Sequence, residues 1–71
     1  MAKYYVNNRR QDSANFNNEV HKEGCYWLSK AVDTTYLGEF YGCHSAMVEA
    51  RKLYPSTADG CKTCCPDCHQ G

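Results

Sequence analysis

Six cysteines and three histidines are the residues in this chain whose types and spacing could do chemistry. The cysteines stand at 25, 43, 61, 64, 65 and 68, so four of them fall in one short run. Cys61-Lys62-Thr63-Cys64 is a C-x-x-C, and Cys65-Pro66-Asp67-Cys68 abuts it as a second. A two-residue gap lets both thiolates of a tight turn face one ion, and Gly60 just before supplies backbone freedom. Zinc needs four ligands, so another pair must come from elsewhere. His21-Lys22-Glu23-Gly24-Cys25 supplies a histidine and a cysteine four apart across a glycine-containing turn. The spacing predicts one tetrahedral, structural zinc held by His21, Cys25, Cys61 and Cys64. Cys68 and His69 stand as alternative ligands, since both follow closely in the same tail. Cys43 reads as a small core residue, and a Cys43–Cys68 disulfide is one pairing open to the chain if it meets oxidant. Sequence alone does not fix connectivity among six cysteines.

Other chemistries fit less well. Cys65-Pro66-Asp67-Cys68-His69 matches the attachment signature of a c-type haem with His69 as its proximal ligand. Only two residues follow the motif, and the amino end lacks the apolar core of a secretory signal, so haem is not expected. Thioredoxin-like redox work places a C-x-x-C at a helix amino terminus, whereas both motifs here follow the predicted helix. A cysteine nucleophile with His44 or His21 as base has no supporting spacing. No catalytic residues are therefore assigned, and the chain is not expected to be an enzyme.

These ligands must be positioned by a small scaffold. Residues 3–8 are rich in Tyr and Val and suit a strand, Glu19-Val20-His21 opens a second, and residues 36–41 read as a third with Gly38 as a bulge. Cys43, Ala46, Met47, Ala50, Leu53 and Tyr54 recur at helical spacing, which predicts one amphipathic helix over about 43–54. Gly42 serves as its N-cap and Pro55 stops it. Residues 9–18 are polar and read as a mobile loop, and 69–71 as a tail. The fold class expected is α+β: a small three-stranded antiparallel sheet, one helix and a cysteine-rich carboxyl-terminal tail.

The chain of 71 residues fits one small domain, 1–71. It has no isoleucine and few aliphatics. A core of this size supplies roughly 3–5 kcal/mol, so a staple is needed. Eight Lys+Arg balance eight Asp+Glu, which weakens the electrostatic term that dominates nucleic-acid binding. Arg9, Arg10, Lys22, Lys30, Arg51, Lys52 and Lys62, with Tyr4, Tyr5, Tyr26, Trp27, Tyr36 and Tyr41, would carry such binding if it occurred. Otherwise the arginines are a solvated loop and the aromatics sheet core. No stretch approaches a membrane span. Met1 and the missing signal point to a cytoplasmic, reducing setting, in which clustered thiols read first as metal ligands. A monomeric zinc module acting through a protein partner is the expectation, with a nucleic-acid-binding role as the alternative.

The order of these motifs resembles the metal-binding domain of the Ada DNA-repair methyltransferase, and more closely its His-containing relatives appended to other bacterial proteins. Tyr5-Val6-Asn7-Asn8, Val20-His21, Cys25, Leu28, Phe40, Ala46, Ala50, Tyr54, Cys61 and Cys64 carry the likeness. The chain is also similar to small free-standing bacterial proteins that share Glu-Val-His-Lys-x-Gly-Cys and an ending with Gly-Cys and Cys-His. The resemblance implies a zinc fold. In the repair protein four cysteines hold the zinc, and the first of them accepts a methyl group from a DNA phosphotriester. His21 occupies that position here, and an imidazole is not the activated thiolate such a transfer uses. The resemblance thus implies the metal and not the methyl transfer.

Overall fold

The computed structural model describes residues 1–9 and 17–70. Most of the loop expected over 9–18, and Gly71, lie outside them. Four strands, two helices and a short 3-10 turn are described: β1 Ala2–Asn7, β2 Asn18–Lys22, α1 Tyr26–Lys30, β3 Thr34–Phe40, α2 Cys43–Leu53, β4 Ala58–Gly60, and the 3-10 turn Pro66–Cys68.

The α+β class holds, but the sheet is four-stranded and mixed, not three-stranded and antiparallel. Its order is β3-β1-β2-β4, with β1 antiparallel to both β2 and β3, and β4 parallel to β2. The added strand, Ala58-Asp59-Gly60, has residues with little intrinsic strand preference. It forms because long-range pairing to Asn18, Glu19 and Val20 overrides that preference. Gly38 does sit at an irregularity. Tyr4 pairs Gly38 while Tyr5 pairs Tyr36, leaving one extra residue on β3. The backbone of Gly38 adopts φ +128°, a conformation that side-chain-bearing residues rarely take.

Helix α2 follows its stripe: Cys43, Ala46, Met47 and Ala50 are buried, and the Tyr54 amide caps the end on the Ala50 carbonyl at 2.8 Å. They pack with Tyr4, Val6 and Val20 of the central strands to make the core. Leu53, the last residue of α2, departs from the stripe's expectation and is exposed. The segment after Cys25 is a second, five-residue helix, α1, which the short apolar patch Tyr26-Trp27-Leu28 did not signal.

Paired asparagines join the strand ends. Asn18 Nδ2 donates to the carbonyls of Asn7 and Asn8 at 3.1 and 3.2 Å. Asn8 Oδ1 accepts from Thr35 and from the Tyr54 hydroxyl at 2.9 and 2.8 Å. The terminus of α2 is thereby tied to β1 and β3 through part-buried polar groups that are satisfied.

Cys43 and Cys68 form a disulfide. Cys43 is therefore not a plain core residue, although it does lie in the core cluster. The cross-link joins the first residue of α2 to the last residue of the 3-10 turn.

Candidate metal centre

Two turns build the site. Strand β2 ends in the turn Lys22 to Cys25, closed by the Cys25 amide donating to the Lys22 carbonyl at 3.1 Å. Gly24 makes that turn with φ +85°. Alternation along β2 sets His21 on the face opposite Val20, so the imidazole leaves the core shared with α2 and meets the turn instead. The second turn follows β4 directly. Cys61 donates its amide to the Val20 carbonyl at 2.9 Å, extending the parallel pairing by one bond, and Cys65 donates to the Cys61 carbonyl at 2.7 Å. The sheet thus holds Cys61 beside His21, and the closed C-x-x-C turn swings Cys64 back toward them.

The four residues predicted from spacing are brought together. One ligand atom from each of His21, Cys25, Cys61 and Cys64 lies within 4.8 Å of all the others. His21 Nδ1 stands 3.8 Å from Cys25 Sγ and 3.9 Å from Cys64 Sγ, and the Cys25 and Cys61 sulfurs are 4.0 Å apart. A tetrahedral zinc with ordinary Zn–S and Zn–N bonds has ligand–ligand edges of about 3.5–3.8 Å. These three edges exceed those of that ion by only a few tenths of an ångström.

Electrostatics favours a cation at its centre. Burial pushes the Cys64 thiol well above its ordinary pKa, and the neighbouring sulfurs of Cys25, Cys65 and Cys61 add to the rise, against a backbone amide from Lys22 that lowers it. That amide stands 3.3 Å from Cys64 Sγ. Cys25 goes the other way. Burial raises it, but the Cys64 thiol, the backbone amides of Leu28 and Trp27, and the Cys61 thiol outweigh burial and lower it. A bound cation would relieve the repulsion that several thiolates feel in one buried cluster. Burial also lowers the pKa of His21, which keeps the imidazole neutral, as a metal ligand must be. With Nδ1 turned to the sulfurs, Nε2 is buried without a hydrogen-bond partner among the described residues. Glu19 Oε1 lies 3.9 Å from it, beyond hydrogen-bond range.

The alternative ligands are placed elsewhere. Cys68 is spent in the disulfide. His69 Nδ1 stands 3.1 Å from the Gly60 carbonyl and 3.5 Å from Asp59 Oδ2. Of the two cysteines in the haem-attachment signature, Cys65 is buried and Cys68 is bonded to Cys43.

Cys65, which lies outside the predicted ligand set, is 2% exposed and belongs to the core cluster. Its Ser variant should therefore lose stability by about 1–3 kcal/mol, the cost of placing a hydroxyl in an apolar site. Metal stoichiometry should not change. Denaturant unfolding together with elemental analysis of Cys65→Ser checks both, and a lost ion would make Cys65 a ligand.

Among the described residues a second group, Cys43, His44 and Cys68, also lies within 4.8 Å. The spacing argument missed it because two of its members are 24 or more positions apart from the third along the chain and belong to no shared motif.

Comparisons of the chain with protein-family models, with curated proteins and with solved structures find no match.

Proposed function

We propose that this protein is a small zinc-binding module in which one structural zinc, held by His21, Cys25, Cys61 and Cys64, staples the turn after β2 to the turn after β4. The convergence of those four donor atoms from two separate turns carries the reading. The donor set is soft and nitrogen-containing, which suits zinc over calcium or magnesium. Four protein ligands saturate a tetrahedral ion and leave no open position for substrate, so the metal is structural and the module works by interaction, not catalysis. The resemblance to the Ada metal-binding domain supports the zinc, and His21 at the methyl-acceptor position speaks against phosphotriester repair. A cytoplasmic setting accords with free thiols at four of the six cysteines. No helix among the described residues is long and apolar enough to cross a membrane.

Native mass spectrometry with elemental analysis tests this reading. One zinc per chain is the expected result, lost on denaturation in acid. A chain that purifies metal-free and binds no zinc at micromolar concentration sinks it.

A nucleic-acid-binding role on the same scaffold is favoured by one observation. Tyr26, Trp27, Tyr36 and Tyr41 are exposed and not packed in the sheet core. Tyr26 and Trp27 meet edge to face, with Lys30 Nζ 5.3 Å from the Tyr26 ring centre. Stacking on such rings is worth about 1–3 kcal/mol per base. The zero net charge opposes it. Binding to single-stranded DNA that weakens steeply with salt would support this role, and no binding at low salt removes it.

A further inference from the structure

The Cys43–Cys68 cross-link stands apart from the four-ligand centre, and His44 adjoins it. We propose that this pair is a redox-convertible second metal site: reduced, Cys43 and Cys68 join His44 in holding a thiophilic d10 cation, and oxidised, they are the disulfide and hold none.

Three observations carry it. One ligand atom from each of the three residues falls within 4.8 Å of the others. Both thiols are held close by contacts that do not depend on the S–S bond. Cys43 is anchored by α2, whose Ala46, Met47 and Ala50 are buried in the core. Cys68 is anchored by its amide, which donates to the Cys65 carbonyl at 3.0 Å, and by packing so tight that a Cβ on Gly60 would stand 2.7 Å from its own. Reduction therefore leaves the two sulfurs as neighbours and does not scatter them. His44 is exposed and opens the third corner to solvent.

The chemistry balances. A dithiol reductant transfers two electrons and two protons to the disulfide, giving Cys43–SH and Cys68–SH while the reductant closes to its own disulfide. A divalent cation then displaces the two thiol protons and takes the neutral imidazole of His44 as third ligand. Thiolate and imidazole donors select zinc or monovalent copper over hard cations. Unlike the first centre, this one supplies only three protein ligands, so a fourth position stays open to water or to a partner's side chain. In a reducing compartment glutathione and thioredoxin systems keep such a pair open. The site would then fill under the same conditions that favour metal at the first centre and empty on oxidation.

The test compares the whole protein in its two redox states, with zinc as the probe and native mass spectrometry as the readout. One sample keeps the disulfide; the other is treated with a water-soluble phosphine, which is then removed under nitrogen. The reduced form should hold one more zinc than the oxidised form. His44→Ala should weaken that additional ion by at least about tenfold, since even outer partners of metal ligands cost that much, and leave the other ion untouched. The double variant Cys43→Ser/Cys68→Ser should bind the same number as oxidised wild type in either state. Equal stoichiometry in the two states of the wild type overturns the proposal, as does an extra ion retained by the double variant. If the double variant does not fold, the wild-type comparison and His44→Ala still decide. Failure of the first centre reads differently: the oxidised protein would then bind no zinc at all, whatever the reduced form gains.

Discussion

Cys61→Ser is expected to lose the proposed zinc and leave a chain that no longer folds cooperatively at physiological temperature. The substitution is nearly isosteric, so it opens no large cavity at a residue that is 2% exposed. It removes a thiolate from the cage and leaves His21, Cys25 and Cys64 to hold the ion. Structural zinc contributes about 10–16 kcal/mol of apparent binding free energy, and in small metal domains that is folding free energy. A core of this size supplies no more than roughly 3–5 kcal/mol, so losing the ion removes the larger share of the stabilisation. His21→Ala should do the same and add the loss of a fully buried ring. Thermal unfolding followed by circular dichroism, beside wild type stripped with a chelator, measures the effect. The serine variant should track the stripped protein. A variant that keeps its ion and melts with wild type would mean that Cys61 is not a ligand.

Gly60→Ala should be the most damaging single methyl in the described structure. A Cβ built at Gly60 meets Cys68 Cβ at 2.7 Å, the Cys68 carbonyl carbon at 2.8 Å and the Cys65 carbonyl oxygen at 2.9 Å. Two of these are backbone atoms, so no side-chain rotation relieves the clash. Either the 3-10 turn moves away from β4 or β4 moves away from β2. Both displace Cys61 and Cys64, which are the next ligands along the chain. Overpacking of this kind costs about 1–3 kcal/mol, which for a domain of this length lowers Tm by roughly 5–20 °C. Zinc affinity should fall as well. Gly42→Ala is the control, because a Cβ there meets nothing within 4 Å. Its cost should stay below about 1 kcal/mol, the usual difference between helix-capping residues. Matching melts for the two variants would show that the tail is not held against Gly60.

The exposed aromatics sharpen the choice between the two proposed roles. Trp27 donates its indole N–H to Thr63 at 3.1 Å, so α1 is pinned to the second metal-binding turn. Loss of the metal should therefore also loosen the Tyr26–Trp27 surface. A partner that reads those rings should therefore bind less well after metal removal.

Much of the centre is legible from linear spacing, because each half-site is local. His21 and Cys25 flank one glycine turn, Cys61 and Cys64 flank another, and the geometry of a tight turn depends on the few residues within it. The helix is legible for a similar reason: the apolar stripe from Cys43 to Ala50 records directly which side is buried. The fourth strand is not legible. Ala58-Asp59-Gly60 has no strand-like composition and becomes a strand only because Asn18, Glu19 and Val20 offer an open edge at that point. The same contact places Cys61 beside His21, so the parallel pairing that the residues do not announce is what joins the two half-sites into a cage. Nor does linear order choose among the thiols. Cys65 and Cys68 belong to the same C-x-x-C, yet the chain path buries one in the core and bonds the other to Cys43 at the start of α2. Local turns select which donors are available. Distances between donors far apart in the chain are set by packing, and those distances separate ligand, core residue and cross-link.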